Sequence, residues 1–224
     1  MNIYNNIINL RKNLPAGCRL VAVSKTQSLE KILDAYKAGQ RAFGENKVQE
    51  LVTKYESLPR DIEWHMIGHL QTNKVKYIAA FVALIHSVDT LKLLEEINKQ
   101  GVKSGRVIPC LLQVHIAEEE TKFGFSDDEV LSIVDTQVLE RLKNVSIEGL
   151  MGMATFTEDK DQVRKEFRHL KRLFEELSSR RLPSNMNMKD LSIGMSGDYS
   201  IATEEGSTIV RVGSAIFGER NIHV

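Results

Sequence analysis

The chain has 224 residues, of which 42% are hydrophobic and 27% charged, a composition typical of a globular protein and not of a disordered or fibrous one. The 30 basic residues balance the 30 acidic residues, so the formal net charge is zero. A nucleic-acid binder needs a basic face. The charge balance therefore argues against nucleic acid as a partner.

Neither the cysteines nor the apolar runs indicate secretion or a membrane. Cys18 and Cys110 are too few for a disulfide scaffold or a four-cysteine zinc site. The N-terminal stretch mixes polar and apolar residues and lacks the apolar core of a secretory signal. The longest apolar run, residues 77–85, is far below the ~20 residues that span a bilayer. We expect a soluble cytoplasmic protein that has no membrane partner.

Short apolar runs alternate with longer amphipathic segments, which is the pattern of βα units around a parallel sheet. A helix is predicted over residues 2–13. Strands are predicted over residues 19–24, 42–44, 63–67, 83–88, 108–116, 145–153, 190–195 and 208–212. Helical patterns lie between the strands, and two of them are predicted to end at Gly39 and Gly101. Residues 182–190 are predicted to form a loop.

Eight strands that alternate with helices over 224 residues predict an α/β fold, a single (β/α)8 TIM-type barrel domain over residues 1–224. The strands are too hydrophobic for a half-exposed sheet. An open doubly wound sheet is the alternative. The sequence has neither GxGxxG after a strand nor a Walker loop that would support this alternative.

The active site of a barrel lies at the carboxyl ends of its strands, so the polar residues that close each apolar run are the candidates. Lys25 follows four apolar residues in LVAVSKT, and Asn46 follows the second strand in FGENK. A partly desolvated lysine has a lowered pKa and supplies the neutral amine that attacks an aldehyde. A surface lysine at a strand end is the alternative interpretation.

The last two strands lead into turns that combine small residues with a hydroxyl: GMSG with Ser196, and VGSAIFG with Gly213 and Ser214. Backbone N–H groups and hydroxyls there could converge on a phosphate, although either segment alone could be a tight turn. Arg211 lies two residues before Gly213 and so points to the same side; a structural ion pair is the alternative. With the lysine, these residues predict a pocket for a phosphorylated aldehyde.

Two further patterns contain residue types that occur in binding sites. His65 and His69 share a strand face if the third strand continues, but HMIGH lacks the glutamate of HExxH, so we expect no zinc site there. His69 could still line the pocket. The charged run EEETK, residues 118–122, is either a solvated loop or a contact at the barrel mouth.

Eight sequence blocks at the predicted strand ends resemble a known family. They are LVAVSKT, FGEN, WHMIGHLQTNK, HSVD, KFGF, GLMGM, LSIGMSGDY and VRVGSAIFG, in that order over nearly the whole chain. Together they resemble the pyridoxal phosphate homeostasis protein family. The resemblance implies the barrel of fold-type III pyridoxal phosphate proteins, the alanine racemase N-terminal type, without the C-terminal β domain of alanine racemases.

The resemblance also implies a cofactor and its contacts. Pyridoxal 5′-phosphate (PLP) is expected as a Schiff base on Lys25, with its ring nitrogen against Arg211. An arginine there would leave the ring nitrogen unprotonated, because a guanidinium cannot accept its proton. The cofactor-binding residues that the resemblance implies are Lys25, Asn46, Ser196, Arg211, Gly213 and Ser214.

Three functions fit these residues to different degrees. A non-catalytic PLP carrier and buffer, a monomer in transient contact with apo PLP enzymes, is favoured over an amino-acid racemase. A racemase needs a base on each face of the substrate, and in alanine racemases the second base, a tyrosine, comes from the added domain. The sequence continues for 11 residues after Gly213, so we expect no such domain. The third function is that of an aldolase-like barrel that forms a Schiff base with its substrate. It does not account for Arg211.

Overall fold

The computed structural model describes residues 2–118, 123–136 and 138–219. Its strands are β1 Arg19–Val23, β2 Ala42–Glu45, β3 Glu63–Met66, β4 Leu84–Val88, β5 Ile108–Gln113, β6 Val145–Met151, β7 Met186–Ser192 and β8 Ile209–Val212. All pair in parallel with their neighbours in chain order, and β1 also pairs with β8, so the sheet is a closed barrel. The predicted (β/α)8 architecture is confirmed.

Helices precede and follow the strands. They are α1 Ile3–Asn13, α2 Leu29–Lys37, α3 Val48–Ser57, α4 Leu91–Ser104, α5 Asp127–Asp135, α6 Lys160–Ser179, α7 Tyr199–Glu204 and α8 Ser214–Phe217. Between β3 and β4 the chain forms a 3-10 helix, Thr72–Tyr77, where an α-helix would otherwise stand. None of the helices in the described ranges is long and apolar enough to cross a membrane.

The core has two layers because alternate residues of a strand point to opposite faces. On β1, Leu20 and Ala22 belong to the large cluster between the sheet and the helices. Val21 belongs to a smaller cluster inside the barrel, which also contains Leu84, Leu111, Met151 and Ile209. Both layers are mainly apolar, although the barrel interior also holds the buried polar side chains of His65, His86, Ser192 and Arg211.

Helix α4 ends later than the sequence pattern predicts. It continues through Gly101 to Ser104 and ends at Gly105, whose φ of 65° lies in the left-handed region. A Cβ added at Gly101 would lie 2.7 Å from the backbone oxygen of Asn144. Gly101 therefore allows the helix to pack closely against the loop before β6, and does not end the helix.

Strand bounds differ most at β7. This strand begins at Met186, inside the segment predicted as a loop, and ends at Ser192 and not at residue 195. Only its second half is continuously buried, so its first half lacks the apolar run that marks the other strands. Strands β5 and β6 are also shorter than predicted and end at Gln113 and Met151.

Candidate functional site

A cavity of about 530 Å³ lies at the carboxyl end of the barrel. Residues that follow β1, β2, β6, β7 and β8 line it. The structure brings together in this one cavity the candidates that sequence reasoning had drawn from four separate strand ends: Lys25, Asn46, Ser196, Arg211, Gly213 and Ser214. An amine, hydroxyl groups and a guanidinium therefore meet at one place.

Lys25 is half-buried in the turn that follows β1. Its neighbour Thr26 has a φ of 64°, which is unusual for a residue other than glycine and especially for a β-branched one. Such a conformation costs on the order of 1–3 kcal/mol and persists only where the surroundings fix it. The turn that presents the amine is therefore held in place by its neighbours.

The turns after β7 and β8 are joined at Ser196 and Gly213. The Gly213 amide donates a hydrogen bond to Ser196 Oγ over 3.1 Å. A Cβ added at Gly213 would lie 3.3 Å from the Val23 backbone oxygen, so this backbone approaches β1 closely. The first amide of α8, that of Ser214, has no acceptor within its own helix. Hydroxyl and amide donors thus gather beside the lysine turn, an arrangement that suits an anion.

Arg211 is buried on β8, and its guanidinium is fixed from two sides. Nη1 donates to the Ser192 carbonyl oxygen at 2.8 Å and to Ser192 Oγ at 2.6 Å, and Nη2 donates to the Gly152 carbonyl oxygen at 3.0 Å. Burial lowers the pKa of Arg211 to about 10, and Asp198 opposes that shift. The group therefore remains a cation at neutral pH, with its plane set by the backbone of β7 and β6.

A chain of hydrogen bonds continues from Arg211 across the barrel interior. Ser192 Oγ lies 2.9 Å from His86 Nδ1, and His86 Nε2 lies 2.8 Å from His65 Nδ1. Burial lowers the pKa of His65 to about 3 and holds the pKa of His86 well below its usual value; the charge of Arg211 adds to the shift of His86. Both imidazoles are therefore neutral at pH 7. Sequence reasoning missed Ser192 and His86, although both lie at inward-facing strand positions.

Two further groups on the cavity wall were not singled out from the sequence. Asp198 Oδ1 accepts the Met195 amide at 2.5 Å, and burial raises the pKa of Asp198 while Arg211 opposes this shift. Thr155 follows β6, and its amide and its hydroxyl each donate a hydrogen bond to the Glu166 carboxylate at 2.7 Å. The two threonines of MATFT, which follow the sixth strand, are the sequence signal that could have indicated Thr155.

The expectation that His69 lines this pocket is wrong. Because β3 ends at Met66, His69 does not extend the strand face of His65. Its Nδ1 lies 2.8 Å from Asp89 Oδ2, and its ring stacks on Phe123 with 4.0 Å between the ring centroids. These residues line a separate cavity of about 630 Å³.

The other two candidates were a metal site and the charged run after β5. Within residues 2–118, 123–136 and 138–219, no three His, Cys, Asp or Glu side chains are arranged to hold a metal. From the charged run after β5, the Glu118 amide donates to Thr155 Oγ1 at 3.0 Å. Glu119, Glu120 and Lys122 lie outside the described residues.

Comparison with known proteins shows the family to which the chain belongs. The family described as "Alanine racemase, N-terminal domain" matches residues 1–221. A pyridoxal phosphate homeostasis protein of Aquifex aeolicus is 42% identical over 203 residues, which are 90% of this chain and 87% of that protein. The human protein of the same name is 38% identical over 221 residues, 94% of this chain and 80% of that protein. The chain belongs to the pyridoxal phosphate homeostasis protein family.

Solved structures agree with this assignment. PipY of Synechococcus elongatus, in a structure with PLP bound, is 34% identical, with a TM-score of 0.86 over 96% of this chain and 100% of that chain. Without PLP, the TM-score is 0.90. Alanine racemase from Bartonella henselae is 16% identical, with a TM-score of 0.73 over 98% of this chain and 60% of that chain. This last similarity shows the fold alone.

The two buried histidines predict that stability depends on pH. Their pKa values in the folded state lie below the unfolded value of about 6.5, so the unfolded state takes up protons first as the pH falls. The free energy of unfolding should therefore decrease from about pH 7 to pH 5, and His65→Gln with His86→Gln should flatten this slope by up to ~1.4 kcal/mol per pH unit for each histidine. Denaturant unfolding at several pH values measures the slope.

The matched control is Val102→Gln, because Val102 is exposed on α4 and does not titrate. This variant should keep the wild-type slope. Equal slopes for the wild type and the double variant of the buried histidines would contradict the assignment of neutral imidazoles.

Proposed function

We propose that this protein binds PLP as a Schiff base on Lys25 and serves as a non-catalytic carrier and buffer of the cofactor. The observation that carries the proposal is the convergence of Lys25, the Ser196 and Gly213 turns and Arg211 on one cavity. Membership in a family whose members are named for PLP homeostasis supports it, as does the PLP bound by the PipY relative.

The residues that line the cavity suit the phosphate, the aldehyde and the ring of PLP. A volume of about 530 Å³ is within the usual range of small-molecule pockets. The Ser196 hydroxyl, which accepts the Gly213 amide and can still donate its own hydrogen, and the Ser214 amide are suitable donors for a phosphate. The Lys25 amine would add to the aldehyde carbon, and one water would leave as the C=N bond forms. Asn46 lines the same cavity.

Arg211 supports binding without turnover. Its guanidinium is a cation held by backbone carbonyls, so it can donate to a ring nitrogen but cannot accept a proton from it. An unprotonated pyridine is a weaker electron sink than a pyridinium. This arrangement favours holding the cofactor over stabilising a carbanion on it.

An amino-acid racemase is the second candidate, because the fold is shared with alanine racemases. That reaction needs a proton-transfer group on each face of the substrate. No tyrosine is present among the described residues that line the cavity. The carboxylate of Asp198 already accepts the Met195 amide, which suits a role in holding the turn. The site therefore favours the carrier.

The proposal extends to location and partners. The cysteines Cys18 and Cys110 are both free thiols, as expected in the reducing cytoplasm. A net charge of zero provides no strong field to retain a charged partner. We therefore propose that the whole chain acts as a monomeric unit that delivers PLP to apo enzymes by transient contact or through free PLP.

Lys25→Ala should abolish the covalent adduct, because Lys25 is the only amine proposed to attack the aldehyde. Incubation with PLP, reduction with borohydride and peptide mass spectrometry measure the adduct. Lys47→Ala and Lys74→Ala are matched controls and should retain it. An adduct that persists on the Lys25 variant, or that maps to Lys47 or Lys74 in the wild type, would contradict the assignment.

Replacement of Ser196 and Ser214 by alanine should weaken PLP binding in a graded way. Each hydroxyl-to-phosphate hydrogen bond is charge-assisted and contributes ~1.5–3 kcal/mol, whereas the backbone donors remain. Titration followed by absorbance gives the dissociation constant of each single variant and of the double variant. A double variant with wild-type affinity would show that the phosphate lies elsewhere.

The PLP-loaded protein should not interconvert L-alanine and D-alanine at an appreciable rate. The reason is that no tyrosine lies among the described residues of the cavity wall to act as a second base, and that an arginine stands at the proposed ring-nitrogen position. Chiral chromatography of alanine after prolonged incubation tests this expectation. Steady racemisation by the wild type that Lys25→Ala abolishes would replace the carrier with the racemase.

A further inference from the structure

A buried cluster of charges lies behind the turn that carries Lys25. It consists of Glu45 at the end of β2 and Glu50 and Lys54 on α3. Lys54 Nζ lies 2.8 Å from Glu45 Oε1 and 2.6 Å from Glu50 Oε1, and the side chains of Lys54 and Glu45 are 5% and 0% exposed. We call these three residues the ion cluster. A buried ion pair is often no more stabilising than packed apolar side chains of similar volume, so stability alone does not explain the cluster.

The ion cluster contacts the residues on both sides of Lys25. On one side, Lys54 Nζ donates to the Ser24 carbonyl oxygen at 2.7 Å, and Ser24 Oγ donates to Glu45 Oε1 at 2.6 Å. On the other side, the Thr26 amide donates to Glu50 Oε1 at 2.6 Å. Every one of these bonds ends on the residue before or after the lysine, so the cluster fixes the backbone of its turn.

The conformation of Thr26 shows why the turn needs such support. A φ of 64° is disfavoured for a β-branched residue, and an isolated turn would relax away from it. The bond from the Thr26 amide to Glu50 Oε1 holds this conformation. If that bond were lost, the backbone would move and the direction of the Lys25 side chain would change with it.

We propose that Glu50, through Lys54 and the Thr26 amide, is a positioning residue that aims the Lys25 amine at the aldehyde of PLP. This inference rests on the proposed attachment of PLP to Lys25. Glu50 acts on the orientation of the amine and has no role at the turns assigned to the phosphate, which follow β7 and β8. Loss of Glu50 should therefore impair covalent attachment selectively and leave non-covalent recognition intact.

The test compares two ligands. Glu50→Ala should slow the formation of the C=N bond with PLP, followed by the absorbance change, about tenfold or more, as expected for loss of a charge-assisted hydrogen bond. The same variant should bind pyridoxine 5′-phosphate, which has the phosphate and ring but no aldehyde, with wild-type affinity. Glu50→Gln keeps an oxygen for the Thr26 amide, so it should restore part of the rate. Glu56→Ala, an exposed change on the same helix, is the matched control.

The outcomes separate the two proposals. A wild-type rate in Glu50→Ala would overturn the positioning role. A parallel loss of pyridoxine 5′-phosphate affinity would overturn it as well, because it would indicate general damage to the cavity. If Glu50→Ala does not fold, the comparison rests on Glu50→Gln, whose rate must then lie below that of the wild type. An adduct on another lysine in the wild type would instead contradict the proposed function itself.

Discussion

Closure of the barrel between its first and last strands is the constraint on which the site depends. In this pairing Ala22 lies opposite Val212, so the turn after β1 stands beside the turn after β8. The close approach of Gly213 to Val23 follows from the same register. The lysine from the start of the sequence and the glycine-serine turn from its end therefore meet at one rim. Without this pairing, the amine and the turns proposed to bind the phosphate would belong to separate edges of an open sheet.

The polar residues inside the barrel make its closure energetically unfavourable unless their desolvation is compensated. A guanidinium and two imidazoles are buried where a TIM barrel ordinarily packs branched apolar side chains. Two adaptations offset the cost of their desolvation. Arg211 donates to two carbonyl oxygens, and the histidines stay neutral while they continue the hydrogen-bond chain from Ser192. A buried hydrogen-bond chain of this kind does not make the fold more stable than an apolar core would. Its consequence is that the guanidinium is fixed in one orientation.

Sequence reasoning succeeded where one local signal determines the outcome. A buried parallel strand requires a continuous apolar run, so all eight strands were predicted, and β7 was misplaced because its first half is only partly buried. Lys25 and Arg211 were chosen as candidates because strand ends indicate the rim, and both line the same cavity. The bond between Ser192 and His86 depends on the register of distant strands, and the reach of Lys54 into the lysine turn depends on how α3 packs. Neither contact is marked by a local sequence pattern. His69 was misplaced because β3 was assumed to be longer than it is.

The anchoring groups of the site are held by hydrogen bonds within the protein. Arg211 is fixed by backbone carbonyls, the turn of Lys25 by the ion cluster, and Ser196 by the Gly213 amide. A site that forms only on binding would lose part of its binding free energy to the ordering of these groups. Under the proposed function, a preformed cavity can capture PLP and release it again with little rearrangement. Reversible capture is what a buffer requires, whereas an enzyme would need additional groups placed to act on the bound substrate.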